Sequence, residues 1–513
     1  MSISRRLFLR GTSSTLGLLA ASSTFPRLFG TAEAATLGGY AGYRAAVCVF
    51  LLGGNDGNNV IVPLTSGQHA RYLDARQNVG FEISELLAVN PVGQAAASYG
   101  LHPSLTRLRT HFEQDRAALV CNVGPMVLPM TKEDYTQGRV ARPDNLFSHA
   151  DQQDAWASAV ANPSTWAPPP SLIGKVTGWG GRTADKLHTL NPGEYPEVTS
   201  FGGKPLFSVG GERQPMVVSP SGVLEFTGTG DANYNALREA ALAQAVAIDN
   251  GVVLEASYGG VFTTAQTFAT ARAAAREAAW NVLPVATRNS IDALFTTPPG
   301  MSQQLRDQLY QVLLDFIAGA MPLARGGLGV RRQVYSVGLG GFDTHSGQRA
   351  TQDALLAELD FGLDAFYRAV DLLRAETAFG GHPPQATLFT MSDFGRTLLE
   401  NGDRGTDHGW GNHAIVLGER VQGRRLYGAF PSMDLLNNGA NNPNTTDSKG
   451  RWIPSLTVDQ YSFSIASWLG LSTVAERDYV FPNLEGYVQA AKTGGFPPAA
   501  QAYKVAFMLP DVA

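Results

Sequence analysis

The sequence predicts an α/β fold: a mostly parallel central sheet flanked by helices, with an inserted helical subdomain. Three observations predict it. Continuous apolar runs such as Ala45–Leu52 recur along the chain and stop at turns bearing glycine or aspartate. Between them lie segments with apolar residues at every third or fourth position, and a stretch at about 228–325 is alanine-rich, helix-favouring and poor in strand signal. Runs that are apolar on both faces read as strands buried in a parallel sheet, and their alternation with helices implies crossovers that cover both faces of that sheet.

Taken in order, residues 1–34 read as an export signal. Arg5-Arg6 precede a moderately apolar stretch from about Leu16 to Phe25, and Ala32-Glu33-Ala34 supplies a small-residue cleavage site. That order is the pattern of a twin-arginine signal. The expected partner is the twin-arginine translocase, which carries folded proteins, and the expected destination is periplasmic or extracellular. Residues 35–513 would form the mature α/β domain. Its expected strands are Ala45–Leu52 before Gly53-Gly54-Asn55-Asp56-Gly57, Ala117–Val123, Val334–Leu339 before Gly340-Gly341-Phe342-Asp343, Ala386–Met391 before Ser392-Asp393, and Ala414–Gly418 after Asp407–His413. Gln352–Ala375 predicts a helix with Leu355, Leu356, Leu359, Leu363, Phe366 and Val370 on its apolar side. Ala236–Ala247 and Ala265–Ala279 predict helices of the insertion at about 228–325, placed to cap a site on the main sheet. Leu435–Gly450, rich in asparagine, reads as a polar loop, either a functional surface or an exposed turn. Cys48 and Cys121 lie inside apolar runs, which predicts buried thiols, with a disulfide between adjacent strands as the alternative.

Composition narrows the function. With 44% hydrophobic residues and 2 Cys in 513 residues, the chain can bury a core without disulfides, and it is neither disordered nor a multi-cysteine zinc or iron–sulfur protein. A formal charge of −5 argues against nucleic acid as a partner. Cleavage at Ala34 would deepen that charge, because it removes Arg5, Arg6, Arg10 and Arg27 against Glu33 alone. No stretch of the mature chain reaches the roughly 18 apolar residues of a membrane span.

Asp56, Asp343 and Asp393 each follow an apolar strand, and ligands of open α/β sheets bind beyond the carboxyl ends of strands. Of the 9 His, His149, His345, His408 and His413 lie in polar or glycine-rich contexts. Carboxylates and imidazoles are the ligand set of zinc and manganese and, with fewer imidazoles, of calcium and magnesium. A divalent metal site is therefore expected, whereas His102 and His111 read as packing or surface residues.

In combination the motifs resemble the bacterial family called domain of unknown function 1501. They are the twin-arginine leader, Leu52-Gly53-Gly54-Asn55-Asp56-Gly57-Asn58-Asn59, Leu101-His102-Pro103-Ser104-Leu105, Phe147-Ser148-His149, Gly178-Trp179, Gly341-Phe342-Asp343-Thr344-His345, Ser392-Asp393-Phe394-Gly395-Arg396-Thr397 and Asp407-His408. The resemblance runs from about Arg44 to Leu484. The family is similar in fold to the alkaline phosphatase and sulfatase superfamily, which holds one or two metals beside a nucleophile. The resemblance therefore implies metal ligands at Asp56, Asp343, His345, Asp393 and His408 or His413, and a nucleophile at Ser148. Thr131 is a weaker candidate for the nucleophile. Two departures matter: one residue separates Asp343 from His345 where three is usual, and Phe394 stands where the superfamily has histidine. His149 is the residue expected to replace that imidazole.

The implied activity is hydrolysis of a small anionic ester, phosphate or sulfate, by Ser148 beside a divalent ion. Arg396 is expected either to clamp the ester's anionic oxygens or to form a surface ion pair, with Arg139 and Arg142 as weaker candidates for the clamp. The alternative is a scaffold that has lost catalysis and serves as an envelope binding or assembly protein. A metal-free Ser148/His triad is a third reading, disfavoured because no G-x-S-x-G elbow surrounds Ser148.

Overall fold

The computed structural model describes residues 41–162, 172, 176–191, 195–202, 205–218, 232–246 and 253–510. The expected signal and its cleavage site lie outside the described residues. The described chain is α/β, built on a mostly parallel mixed sheet flanked by helices.

Its strands are β1 (Arg44–Leu52), β2 (Ile61–Pro63), β3 (Leu87–Val89), β4 (Tyr99–Leu101), β5 (Ala117–Gly124), β6 (Val198–Ser200), β7 (Met216–Val217), β8 (Arg332–Gly340), β9 (Gln385–Ser392), β10 (Asn412–Gly418), β11 (Leu426–Tyr427) and β12 (Leu456–Thr457). The main sheet is nine-stranded, ordered β11-β5-β10-β9-β1-β8-β6-β7, with β12 also on β5. β1 lies at its centre, parallel to both β8 and β9, with Arg44 opposite Arg332 and Gln385, so that Leu52, Gly340 and Ser392 end together at one edge. β10 runs antiparallel to β9 and to β5. It therefore starts at the edge where β9 and β5 finish. β2, β4 and β3 form a separate three-stranded sheet.

The apolar run of β1 is explained by two cores. Val47, Val49 and Leu51 belong to one, with Leu359 and Phe366 of the helix Gln348–Arg374 and Leu309 and Phe316 of the helix Gln304–Ala320. Ala46, Cys48 and Phe50 belong to the other, with Trp179 of the helix Trp179–Leu187 and Tyr461 and Leu469 of the helix Val458–Leu469. Successive side chains point to opposite faces, so a strand covered on both sides has no polar position. Each such Val, Leu or Phe contributes about 1.5–3 kcal/mol.

Within the expected insertion lie the helices Ala232–Val246, Val253–Val282, Val285–Leu294 and Gln304–Ala320. The last of these lies directly on the sheet, where the Gln308 side-chain amide donates to the Gly338 carbonyl and its oxygen accepts from the Gly338 N–H, at 2.8 and 2.9 Å. It is a facing helix of the main layer, in the same core as β1. The polar segment Leu435–Gly450 is tied down by Lys132, whose Nζ donates to the Gly439 and Asn442 carbonyls. Cys48 and Cys121 are free, buried thiols. Their strands, β1 and β5, are separated by β9 and β10. Among the described residues no helix is long and apolar enough to cross a membrane.

Candidate metal centre

Four chain segments meet at the edge where β1, β8 and β9 end. After β1 the backbone turns through Gly53 and Gly54 at φ +110° and +83°. A Cβ on Gly53 would lie 2.5 Å from the Asp343 nitrogen, and one on Gly54 would strike the Phe394 ring at 2.4 Å. Only glycine tolerates both that backbone and that approach. Asp343 and His345 follow β8, and Asp393 follows β9. His408 lies in the connection to β10, bridged to Arg396. His149 opens the helix His149–Ser158, after its N-cap residue Ser148.

His149, Asp343 and His408 converge, each offering a ligand atom within 4.8 Å of the others. Asp343 Oδ1 is 3.5 Å from His149 Nε2, 3.4 Å from His408 Nε2 and 3.1 Å from His345 Nε2. His345 Nε2 is in turn 2.9 Å from His408 Nε2. Two ligands at about 2.1 Å from one tetrahedral ion stand roughly 3.4 Å apart, so these spacings suit a shared cation.

The imidazoles are oriented from behind. His149 Nδ1 is 2.7 Å from Asp393 Oδ2, and His408 Nδ1 is 2.8 Å from the Phe147 carbonyl. Each Nδ1 therefore carries its proton toward an acceptor, leaving the Nε2 lone pair facing Asp343. Phe394 is fully buried and packs against both rings, with centroids 4.8 Å from His149 and 4.5 Å from His408. It occupies the wall of the cluster, not a ligand position. Burial by itself would raise the Asp343 carboxyl, but the Arg396 hydrogen bond and charge, then His149 and His345, hold it below the usual carboxylate range. Burial lowers His408; the Phe147 hydrogen bond opposes this, and the charges of Arg396, His149 and His345 reinforce it. An ionised carboxylate beside a neutral imidazole is the protonation pattern that a cation needs.

The remaining sequence candidates separate into three groups. Asp393 touches the cluster only through His149. It is fully buried, with Oδ1 accepting from the Gly53 N–H at 3.1 Å and Oδ2 from Gln153 Nε2 at 2.9 Å as well as from His149. Asp56 and His413 stand apart. The Asp56 carboxylate is buried against Arg76 and Gln348 and caps the short helix Gly57–Val60 through Asn58 N–H, so its charge is already spent. His413 accepts the Asn122 N–H at Nδ1, stacks on Phe430 and is pushed by burial down to about 3. Convergence of Asp56 with Asp343 and His408 is therefore not what the fold builds. The third group consists of the candidate catalytic residues. Ser148 Oγ donates to Asp151 Oδ2 at 2.5 Å and makes no capping hydrogen bond.

Arg396 is buried, and its guanidinium donates to the carbonyls of Gly53, Gly54, Phe342 and Thr406 and to Asp343 Oδ1. It braces the three strand-end turns, and its donors are engaged within the protein, so a free clamp on an anion is not what it presents. Thr131 is half of a capping box with Asp134. Arg139 pairs with Glu133, and Arg142 lies over the Tyr135 ring. His102 is buried edge-on to Phe81, and His111 bonds Asp364. Sequence reasoning passed over Gln153 and gave Asp407 no role beyond its place in the Asp407-His408 motif. Gln153 lies four residues after His149, one helical turn along the same face, and that spacing could have found it. Asp407 lies 3.8 Å from His345 Nδ1 and is held by Lys449.

The chain matches the family model described as Protein of unknown function (DUF1501) over residues 43–444. It belongs to that family. The DUF1501 match includes every residue of the cluster and its supports, and ends before the helix Val458–Leu469. A search of curated proteins returns no match.

Proposed function

We propose that this chain is an exported, metal-dependent hydrolase of phosphate or sulfate esters on the alkaline phosphatase and sulfatase plan. One divalent ion would be held by His149, Asp343 and His408, with His345 beside them. The observation that carries this reading is the pair of imidazoles whose Nδ1 atoms are committed to Asp393 and Phe147 while both Nε2 atoms face one carboxylate oxygen. Three imidazoles and a carboxylate suit zinc or manganese better than calcium or magnesium, which prefer all-oxygen ligand sets. Such an ion supplies positive charge for an ester oxygen and for a deprotonated hydroxyl.

The protein's own part begins at Ser148. Its hydroxyl proton already points at Asp151, which would accept it as Oγ attacks the ester phosphorus or sulfur and the ester's alcohol oxygen leaves, water then displacing the phosphoryl or sulfuryl group from Ser148. Ser148 precedes a ten-residue helix, whose N-terminal dipole favours the developing negative charge. The role of Arg396 is to hold Asp343 in place. In this reading the helices Ala232–Val246, Val253–Val282 and Val285–Leu294 are an insertion between β7 and β8, residues 1–34 direct the chain to the twin-arginine translocase, and the mature protein is periplasmic or extracellular.

A second reading, a metal-binding envelope protein without catalysis, is favoured by one observation: the guanidinium expected to bind the ester has its donors engaged within the protein. One set of measurements separates the two. The hydrolase reading expects bound divalent metal in the purified protein and cleavage of an aryl phosphate or aryl sulfate that is abolished by chelator and by Ser148→Ala. Retained metal with no cleavage of either ester selects the second reading, and absence of both removes the metal centre. Export is checked by fractionating cells that carry Arg5→Lys and Arg6→Lys together. Undiminished periplasmic protein would refute the twin-arginine assignment.

A further inference from the structure

Between the turn after β1, the helix His149–Ser158 and the start of β10 lies a cavity of about 10 Å³, lined among others by Asn55, Trp156, Ser392 and His413. Three polar atoms on its lining residues are buried and have no hydrogen-bond partner among the described residues: Asn55 Oδ1, Trp156 Nε1 and His413 Nε2. All three residues are at least nine-tenths buried, with 2%, 1% and 4% of their surface exposed. Buried polar atoms without partners are uncommon in native proteins, and three of them on the lining residues of one cavity point to an occupant.

The chemistry of the three atoms defines that occupant. The indole Nε1 only donates, and the Asn55 Oδ1 only accepts. His413 Nδ1 accepts the Asn122 N–H at 3.0 Å, so Nδ1 is bare and the neutral ring carries its proton on Nε2. The lining therefore presents two donors and one acceptor. The two neighbouring hydroxyls are already engaged: Ser392 Oγ donates to the Leu51 carbonyl and accepts the Asn55 N–H, and Thr390 Oγ1 accepts the Ile415 N–H. A metal ion is excluded because two N–H groups face it, and an oxyanion is excluded by volume and by the Asn55 oxygen. About 10 Å³ of space open to the centre of a water molecule is the minimum that holds one.

We propose that a single water molecule is an integral part of this site, accepting from Trp156 Nε1 and His413 Nε2 and donating to Asn55 Oδ1. It joins the helix that begins at His149 to the turn whose carbonyls hold Arg396 and to the strand that follows His408. The water is independent of any bound metal and of any hydrolytic activity.

The test is made on the wild-type protein, deuterated and ¹⁵N-labelled. The Trp156 indole N–H is identified by its disappearance in Trp156→Phe, or by through-bond experiments on the wild type if that variant does not fold. A direct rotating-frame Overhauser cross peak from this N–H to a long-lived water is expected, with ¹⁵N shifts of His413 that place its proton on Nε2. An indole N–H with no water cross peak, or a His413 protonated at Nδ1, overturns the proposal. The same holds for a crystal structure that resolves ordered waters elsewhere but shows this cavity dry.

Discussion

Asp56 and Asp343 have nearly the same sequence signature, an aspartate a few residues beyond an apolar strand and a glycine pair, yet the fold uses them in opposite ways. Asp56 is buried with Arg76, and neither side chain exposes more than 1% of its surface. Asp343 keeps 48% of its side chain exposed and faces three imidazoles. Strand-end position is thus not what makes a carboxylate available. Both carboxylates meet an arginine, since Arg396 donates to Asp343 Oδ1, so what decides is whether the carboxylate is sealed in with that cation or left open to a ring of imidazole nitrogens. Glu419 is the third case, a buried carboxylate that among the described residues accepts no side-chain hydrogen bond. Burial there pushes its pKa up to about 7, against the lesser pull of its own backbone N–H, of Arg374, of the Ala386 N–H and of Arg420.

The largest effect that would sharpen this contrast is expected at Asp56. Asp56→Ala leaves Arg76 charged and buried without its partner, at a cost of about 3–5 kcal/mol in unfolding free energy. Denaturant titration measures the loss, and metal affinity of the folded fraction should be unchanged. A loss below 1 kcal/mol would mean that water reaches the pair.

Glu419 comes next. Its pKa is raised in the folded state, so the protonated carboxyl contributes stability that is complete below about pH 4.5 and is lost as pH rises through about 7. Glu419→Gln keeps the shape and removes the titration. The variant should therefore gain on the wild type between pH 4.5 and 7, reaching about 3 kcal/mol above that window. A wild-type-minus-variant difference that stays flat with pH would show that Glu419 ionises freely.

Asp393→Asn tests the support behind His149. Metal affinity should fall about 10–100-fold, the usual consequence of losing a carboxylate behind a ligating imidazole. Competition with a chromogenic chelator reads this directly, and unchanged affinity would remove His149 from the ligand set. Ser148→Ala should have the smallest effect on the same measurement, less than about twofold, because its hydroxyl is bonded to Asp151 and lies outside the cluster. A larger change would make Ser148 a ligand.

These contrasts explain what could be read from the residues alone. The long strands β1, β5, β8, β9 and β10 announce themselves because burial on both faces writes an unbroken apolar run. β2, β3, β4, β6, β7, β11 and β12 have two or three residues each, too few for any pattern to show. His149, Asp343 and His408 were all legible as candidates from residue type and context. The division of labour among the aspartates was not, since it depends on pairings across the chain. Arg76 carries no mark that links it to Asp56, and His149 meets Asp393 across 244 residues. Arg396 shows the limit most clearly: an arginine three residues after a strand-end aspartate looks the same whether it waits for a ligand or spends its donors on turn carbonyls.

The reversed direction of β10 has a consequence for how the molecule folds. β9 and β10 are consecutive strands that pair antiparallel, so they can zip together with little loop-closure entropy, and their connection delivers Asp393, Phe394, Arg396 and His408 at once. Asp343 and His345 lie only one helix earlier in the chain, His345 and His408 being 63 residues apart. His149 arrives from far upstream. A refolding chain should therefore present Asp343, His345 and His408 as an incomplete half-site, and docking of the helix that carries His149 would be the slow step that completes it.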